Sequence, residues 1–319
     1  MPELPEVEVV RSGLEPAVMG ATVTRVEVLD ERSLRRHDGP AEDFIERLTG
    51  ATLAAPERRG KFLWIPVASV SPEIPESAPE IAGRERSTPA DTPEKRTGEA
   101  LIIHLGMSGQ VLLRERKAPR DRLTRVVLEV EHPERGSLRI DFVDQRIFGS
   151  MALDHLITTR DDPTQRVPSQ VAHIARDPMD ARFDDRSFLS ALARKQTTIK
   201  RALLDQTLIS GIGNIYADES LWAARVHYDQ PTATLSRSRA TTLLAEARLV
   251  LARALAEGGT SFDAQYVNVN GASGYFSHSL NVYGQQGEPC PRCGRLIVRE
   301  SFMNRGSHFC AFCQRLRTR

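Results

Sequence analysis

Four cysteines near the carboxyl end constrain the fold of this chain more than any other feature. They form two C-x-x-C pairs, Cys290 with Cys293 and Cys310 with Cys313, and sixteen residues separate the pairs. Each pair can chelate a metal through one tight turn, and two pairs complete a tetrahedral thiolate site for Zn²⁺. Because four protein ligands leave no position for a catalytic water, we expect a structural zinc that holds together a hairpin too small to fold alone. The alternative is two short disulfides or unrelated thiols.

The basic residues are concentrated in this cysteine-bearing end. The chain of 319 residues carries 43 Lys and Arg against 42 Asp and Glu, a formal net charge of +1. Residues 286–319 alone carry seven arginines against Glu288 and Glu300, which predicts a polyanionic partner. No run of residues approaches the about 18 apolar residues of a membrane helix. The acidic, proline-broken start is unlike a secretory signal, so we expect a cytosolic protein.

Hydrophobic periodicity divides the chain into a strand-rich first half, a helical middle and the cysteine-bearing end. The first half has predicted helices over residues 5–19 and 44–48 and predicted strands over 22–29, 61–67, 100–105, 110–113, 124–130 and 137–142. The middle has predicted helices over 185–192, 198–204, 215–223 and 236–257. Ser236 is the predicted N-cap of the last helix. Residues 71–99 contain seven acidic residues and five prolines, so we expect a disordered insertion between two strands there.

A candidate nucleophile lies at the start of the chain. Pro2 follows Met1, which is normally removed before so small a residue, so Pro2 would become the mature terminus. An α-amino group has a lower pKa than a lysine side chain, and more of it is therefore neutral in the cytosol. A neutral amine can attack a sugar carbon and form an iminium, and the adjacent Glu3 can transfer the proton. The same two residues are also compatible with the simple start of a helix.

Six more segments occur in order along the chain. They are MPELPEVE at 1–8, RRGKFL at 58–63, HLGMSG at 104–109, GIGNIYADE at 211–219, GGT at 258–260 and VYG at 282–284. Together with the cysteine pairs, they resemble the bacterial formamidopyrimidine-DNA glycosylase family, also called 8-oxoguanine-DNA glycosylases. The resemblance covers nearly the whole chain except residues 71–99.

The resemblance implies an α+β protein with three domains. The first is a β-sandwich with flanking helices over residues 1–152, and the second is a helical helix–two-turn–helix DNA-binding domain over 153–265. A loop over 266–284 would close over the lesion, and a zinc ribbon over 285–319 would carry one structural Zn²⁺. The implied partner is double-stranded DNA that contains an oxidised base, and the implied state is a cytoplasmic monomer associated with the nucleoid.

The resemblance also implies a bifunctional enzyme of base-excision repair. Such an enzyme removes 8-oxoguanine and formamidopyrimidines and then cuts the abasic strand by β- and δ-elimination. Pro2 matches the Schiff-base nucleophile of the family, and Glu3 matches the acid that assists it. Lys61 matches the lysine of β-elimination, and Arg305 matches the zinc-ribbon arginine of δ-elimination.

Seven further residues match DNA contacts of the family. Three of them would fill the space that an extruded nucleotide leaves: Met107, Arg146 and Phe148. Contacts with phosphates or with the lesion are implied for Arg120, Lys195, Lys200 and Asn214. The chain departs from the family pattern at Ile147, where a second arginine is common. It also departs at Arg120, which lies in a segment that is rich in histidine in the family.

Three other functions stay open at this point. An enzyme of the endonuclease VIII type would share the mechanism but prefer oxidised pyrimidines, although Leu4 and Met107 resemble the purine branch. A non-catalytic lesion-binding zinc protein would not need Pro2, Glu3 and Lys61. A zinc hydrolase conflicts with a site whose four thiolates are all used to close it.

Overall fold

The computed structural model describes residues 2–68, 98–260, 269–270 and 274–317. Of the expected insertion, only Gly98 and Glu99 belong to the described residues. Residues 266–268 and 271–273 of the expected lesion-capping loop also lie outside them. The described helices are α1 (Leu4–Val18), α2 (Ala41–Leu48), α3 (Asp185–Arg194), α4 (Ile199–Leu204), α5 (Asn214–Ala223) and α6 (Arg237–Ala256). The described strands are β1 (Thr22–Val28), β2 (Thr52–Leu53), β3 (Glu57–Arg59), β4 (Phe62–Ala68), β5 (Glu99–His104), β6 (Gly109–Glu115), β7 (Thr124–His132), β8 (Gly136–Asp144), β9 (Ser150–Thr158), β10 (Arg166–Pro168), β11 (Val298–Phe302) and β12 (Arg305–Phe309).

Strands β1 to β10 form one antiparallel sheet in the described part of the chain. Its order is β10-β9-β5-β4-β2-β1-β7-β8-β6, and β3 pairs with β4 outside this path. Val111 of β6 and Met151 of β9 lie near opposite ends of the path, yet both belong to one apolar core with Leu14 of α1 and Phe44 of α2. The path therefore folds over into two layers. The predicted β-sandwich with flanking helices is confirmed.

The sequence did not predict strands β9 and β10. β9 pairs with β5 over its first six residues, from Ser150 opposite His104 to His155 opposite Glu99. Its first five residues are buried and its end is exposed, so it shows neither alternation nor a continuous apolar run. Pairing with β5 makes it a strand. The sheet therefore continues past residue 152, where the sequence interpretation begins the helical domain.

The four predicted helices of the middle segment are present as α3 to α6 and enclose a second core. Leu221 of α5 and Leu251 of α6 meet in this core, together with Leu4 from the start of the chain and Phe309 from its end. Ser236 accepts a hydrogen bond from the backbone N–H of Arg239, as predicted for the N-cap of α6. Among the described helices, none combines the length and the apolar character of a membrane-spanning segment.

The cysteine-bearing end forms a hairpin of β11 and β12. Phe302 pairs with Arg305, so the turn consists of only Met303 and Asn304. Met303 has a φ of 53°, which matches the left-handed backbone of a two-residue hairpin turn. This geometry puts Arg305 at the tip of the hairpin.

Candidate active site

Glu3 joins the start of the chain to the helical middle. Its carboxylate oxygens accept hydrogen bonds from the backbone N–H groups of Gly213 at 2.7 Å, Ile215 at 3.0 Å and Tyr216 at 3.3 Å. These donors are the free N–H groups at the start of α5, which attract an anion. Glu3 is only 3% exposed, and Pro2, directly before it, is also buried. Glu3 therefore lies against the start of α5, and Pro2 precedes it in the buried start of the chain.

Two glycines allow this close approach. Gly211 has a φ of 85°, and a Cβ there would lie 2.8 Å from the side chain of Leu4. A Cβ on Gly213 would lie 2.3 Å from the carboxyl carbon of Glu3. Leu4 also donates its backbone N–H to the carbonyl of Gly211 at 2.9 Å. The two glycines of the GIGN segment are therefore required by contact with residues 3 and 4, since a larger residue at Gly213 would displace Glu3 and one at Gly211 would displace Leu4.

Lys61 and Arg305 line one cavity although 243 residues separate them along the chain. The cavity has a volume of about 300 Å³, and its other walls are Phe62, His104, Ile174, Leu204, Gln206 and Met303. The Lys61 ammonium donates to the carbonyl of Ile212 at 3.1 Å, on the same loop whose next N–H binds Glu3. The structure thus brings Glu3, Lys61 and Arg305 together from the start, the strand-rich first half and the end of the chain.

The low dielectric of this site changes the proton affinity of its ionisable groups. Burial raises the pKa of Glu3 above its ordinary value and outweighs the opposing effects of the Lys61 ammonium and the α5 backbone N–H groups. Burial also lowers the pKa of Lys61, although Glu3 and Glu6 oppose that change. Compared with water, the site therefore favours the protonated form of Glu3 and the neutral form of Lys61.

His104 is a site residue that the sequence analysis did not single out. It lines the cavity, and its ring packs against Phe62 at 4.8 Å between centroids. Burial, together with the guanidinium groups of Arg36 and Arg35, lowers its pKa to about 4. The ring is therefore neutral near pH 7, and its Nδ1 accepts the backbone N–H of Gly106. Its position in the HLGMSG segment is the feature of the sequence that could have identified it as a site residue.

Met107, Arg146 and Phe148 come together on two adjoining loops. We name residues 105–109 the Met107 loop and residues 145–149 the wedge loop. Met107 is 39% exposed and Phe148 is 50% exposed, and Arg146 is exposed as well. A Cβ on Gly106 would lie 2.3 Å from the carbonyl of Phe148, so the two loops touch through their backbones. The predicted trio therefore forms one protruding surface.

The wedge loop holds a strained residue. Ile147 has a φ of 55°, a conformation that β-branched residues rarely adopt and that costs about 1–3 kcal/mol. Asp144 accepts hydrogen bonds from the backbone N–H groups of Arg146 at 3.1 Å and Gly149 at 2.7 Å, and from the Ser108 hydroxyl at 2.5 Å. Asp144 therefore ties the wedge loop to the Met107 loop.

The structure corrects the prediction of a lesion or phosphate contact for Lys200. Its side chain is fully buried, and its ammonium lies 2.6 Å from the Asp218 carboxylate, which is also fully buried. It further donates to the Gly306 carbonyl and the Ser307 hydroxyl. Because Asp218 and the hairpin already bind this ammonium in the interior, Lys200 cannot reach a phosphate in this arrangement.

The other predicted phosphate-binding residues have partners that leave them nearer the surface. Asn214, the first residue of α5, donates its side-chain amide to the Gly306 carbonyl at 3.1 Å, next to Arg305. Lys195 is 40% exposed at its side chain and pairs with Asp205. Arg120 is also partly exposed and forms a two-pronged pair with Glu27 at 2.9 and 2.8 Å.

The four cysteines form one cluster, as predicted. Their sulfur atoms all lie within 4.8 Å of one another, and the backbone N–H of Gly294 closes the first chelating turn on the Cys290 carbonyl at 2.8 Å. The Trp222 indole donates to the Cys290 sulfur at 3.5 Å, a contact that supports a thiolate ligand. Four thiolates at this separation repel each other, and a divalent cation offsets the repulsion. These residues fit one structural zinc.

Models of known families match the chain along its length. The formamidopyrimidine-DNA glycosylase N-terminal domain matches residues 1–151, and the formamidopyrimidine-DNA glycosylase H2TH domain matches residues 174–265. A zinc finger found in FPG and IleRS matches residues 287–316, which confirms the prediction of a zinc site.

Individual relatives agree with these matches. A formamidopyrimidine-DNA glycosylase of Leifsonia xyli is 60% identical over 99% of this chain and 100% of its own length. A formamidopyrimidine-DNA glycosylase of Thermobifida fusca is 50% identical over 98% of this chain and 97% of its own length. The structure is also similar to two solved Lactococcus lactis structures, each 29% identical to this chain. Fpg with abasic-site DNA has a TM-score of 0.75, and an FPG mutant with Fapy-dG DNA has a TM-score of 0.77. They cover 98% of this chain and 99% and 100% of their own. The chain therefore belongs to the formamidopyrimidine-DNA glycosylase family.

Proposed function

We propose that this protein removes oxidised purines from double-stranded DNA and then cuts the abasic strand. The observation that carries the proposal is the convergence of Glu3, Lys61 and Arg305 beside the buried start of the chain. The family membership and the DNA bound in the related Lactococcus lactis structures support it. A cytoplasmic location beside the nucleoid and the division at residues 265 and 284 belong to the same proposal, with the first boundary placed after β10 rather than at residue 152.

The chemistry begins at Pro2 after Met1 has been removed. The neutral ring nitrogen attacks C1′ of the damaged nucleotide as the bond from C1′ to the base breaks, the proton of the nitrogen passes to the departing base, and an iminium forms once the sugar ring opens. Glu3 supplies a proton to the sugar, because burial raises its pKa and favours the acid form. Loss of a proton from C2′ then expels the 3′-phosphate, and a second elimination expels the 5′-phosphate. Water finally hydrolyses the iminium and frees the nitrogen.

The two elimination steps use the remaining cavity residues. Lys61 has its pKa lowered by burial, so its neutral amine can accept the C2′ proton more readily than an ordinary lysine can. Arg305 carries its charge at the tip of the hairpin, where it can bind the departing phosphate. We also propose that Lys200 acts from the interior: with Asp218 it holds the Gly306 carbonyl and the Ser307 hydroxyl and so positions Arg305.

The exposed predicted residues would contact the duplex. Extruding a nucleotide costs a few kcal/mol of unstacking, and Met107 and Phe148 are apolar side chains that can replace the lost stacking. Arg146 can donate to the base left opposite. Asn214, Lys195 and Arg120 would bind phosphates, the last two by exchanging their carboxylate partners for DNA.

Borohydride reduction tests this function. We expect covalent trapping of the protein on a duplex with 8-oxoguanine opposite cytosine, with the adduct mapped to Pro2, and none on the undamaged duplex. Trapping confined to a duplex with an oxidised pyrimidine would instead identify an enzyme of the endonuclease VIII type. Binding without any trapping would identify a lesion-binding protein.

Substituting Glu3→Gln should remove a proton-dependent step. Because burial raises the Glu3 pKa, the wild-type acid persists to higher pH than an ordinary glutamic acid, and kcat/KM for excision should fall as the pH rises through that pKa. The variant should lose about 10²- to 10⁴-fold in rate and lack this fall. The measurement is kcat/KM between pH 5 and 9.

Glu15→Gln is the matched control, since Glu15 lies on the same helix but pairs with Arg11 at the surface. It should keep both the rate and the pH profile. An unchanged profile in Glu3→Gln would contradict the role of Glu3 as the acid.

A further inference from the structure

The wedge loop needs an external support because its backbone is strained. Ile147 has a left-handed φ between Arg146 and Phe148, both of which point into solvent. A β-branched residue keeps such a conformation only where the surroundings hold it. Asp144 binds the N–H groups of Arg146 and Gly149, which leaves the carbonyl groups of the loop available to another donor.

Arg35 is that donor. Its guanidinium donates to the carbonyl of Ile147 at 2.9 Å, to that of Gly149 at 2.7 Å, and to that of Phe148. Arg35 directly follows a short 3₁₀ segment, Glu31–Leu34, more than a hundred residues earlier in the chain. Among the described residues, no carboxylate forms an ion pair with Arg35. Its described hydrogen bonds all go to carbonyl groups of the wedge loop. The planar fork of an arginine matches several acceptors at once, which a lysine ammonium does not.

We infer that Arg35 is a positioning residue that fixes the wedge loop and thereby determines which base the enzyme accepts opposite the lesion. This inference rests on the proposed function, in which Arg146 and Phe148 enter the duplex. Cytosine presents two neighbouring acceptors on its pairing edge to the Arg146 guanidinium, whereas adenine presents an acceptor beside a donor. The discrimination requires Arg146 at one position, and the backbone on either side of it is held by Arg35 and Asp144.

A second role for Arg35 would be a direct phosphate contact, since the side chain is exposed at the surface. The two roles differ in what they change. Removing a phosphate contact weakens binding to all sequences and lowers the salt slope of log K by about one. Removing a loop support leaves the salt slope unchanged and alters discrimination between opposite bases.

The test uses Arg35→Lys, which keeps the charge, and Arg35→Gln, which removes it. Excision of 8-oxoguanine is measured opposite cytosine and opposite adenine, with cleavage of a preformed abasic site in single-stranded DNA as a readout that needs no wedge. We expect the rate of excision opposite cytosine to fall at least 10-fold in each variant. The ratio of the excision rate opposite cytosine to that opposite adenine should fall at least 5-fold. Abasic-site cleavage should stay within 3-fold of wild type.

Arg32→Lys is the matched control, because Arg32 lies in the short segment directly before Arg35 but pairs with Asp30 at the surface. It should match wild type in every assay. An unchanged ratio in both Arg35 variants would overturn the inference, and so would equal losses in all three assays or a full rescue by Arg35→Lys. If the wild-type protein itself does not excise 8-oxoguanine, the proposed function fails, which is a separate result.

Discussion

One additional residue before Pro2 should abolish strand cleavage. The extension converts the ring nitrogen into a tertiary amide, whose lone pair is delocalised and cannot attack C1′. Without the covalent step, we expect a loss of at least about 10³-fold in kcat, the size of effect seen when a nucleophile is removed. The measurements are nicking of an 8-oxoguanine:cytosine duplex and trapping with borohydride, both of which should vanish.

The matched control is the same extended chain after a protease has removed the extension. It restores the secondary amine without changing any other residue and should recover trapping and turnover. DNA affinity should differ little between the two forms, because Glu3 still binds the α5 backbone. An extended chain that still forms the adduct would contradict the mechanism, since the attacking nitrogen would then lie elsewhere.

Cys290→Ser should release the zinc ribbon and with it the DNA. Structural zinc sites contribute about 10–16 kcal/mol of binding free energy to the folding of small domains, and Cys290 is a buried ligand in contact with Trp222. The ribbon carries Arg305 and packs Phe309 into the helical core. We therefore expect loss of bound zinc and at least about a 100-fold loss of affinity for lesion DNA, measured by metal analysis and a binding titration.

Cys313→His provides the control for this change. Three cysteines and one histidine also form a tetrahedral zinc site, and Cys313 is only half-buried, so this variant should keep the metal and most of the affinity. Cys290→Ser with unchanged affinity after complete loss of zinc would show that the ribbon is dispensable for binding. A variant that keeps zinc and affinity would show that Cys290 is not a ligand.

Local patterns were sufficient for most of the secondary structure. Ser236 and Gly258 bracket α6 because caps are encoded within a few residues of a helix end. Val126, Leu128 and Val130 of β7 recur at the two-residue period of a strand and pack into one core. β9 could not be predicted in this way, because its residues show no regular alternation and its pairing with β5 makes it a strand.

The sequence by itself determined the zinc ligands and the family, since a C-x-x-C turn and the GIGN and HLGMSG segments are contiguous and their chemistry depends on short spacing. Only the tertiary structure decided how Glu3 caps α5, why Lys200 is buried against Asp218, and which arginine supports Ile147. Each of these contacts joins residues that are distant along the chain. A hydrogen bond depends on distance and direction in space, and no spacing along one strand or helix encodes either of them.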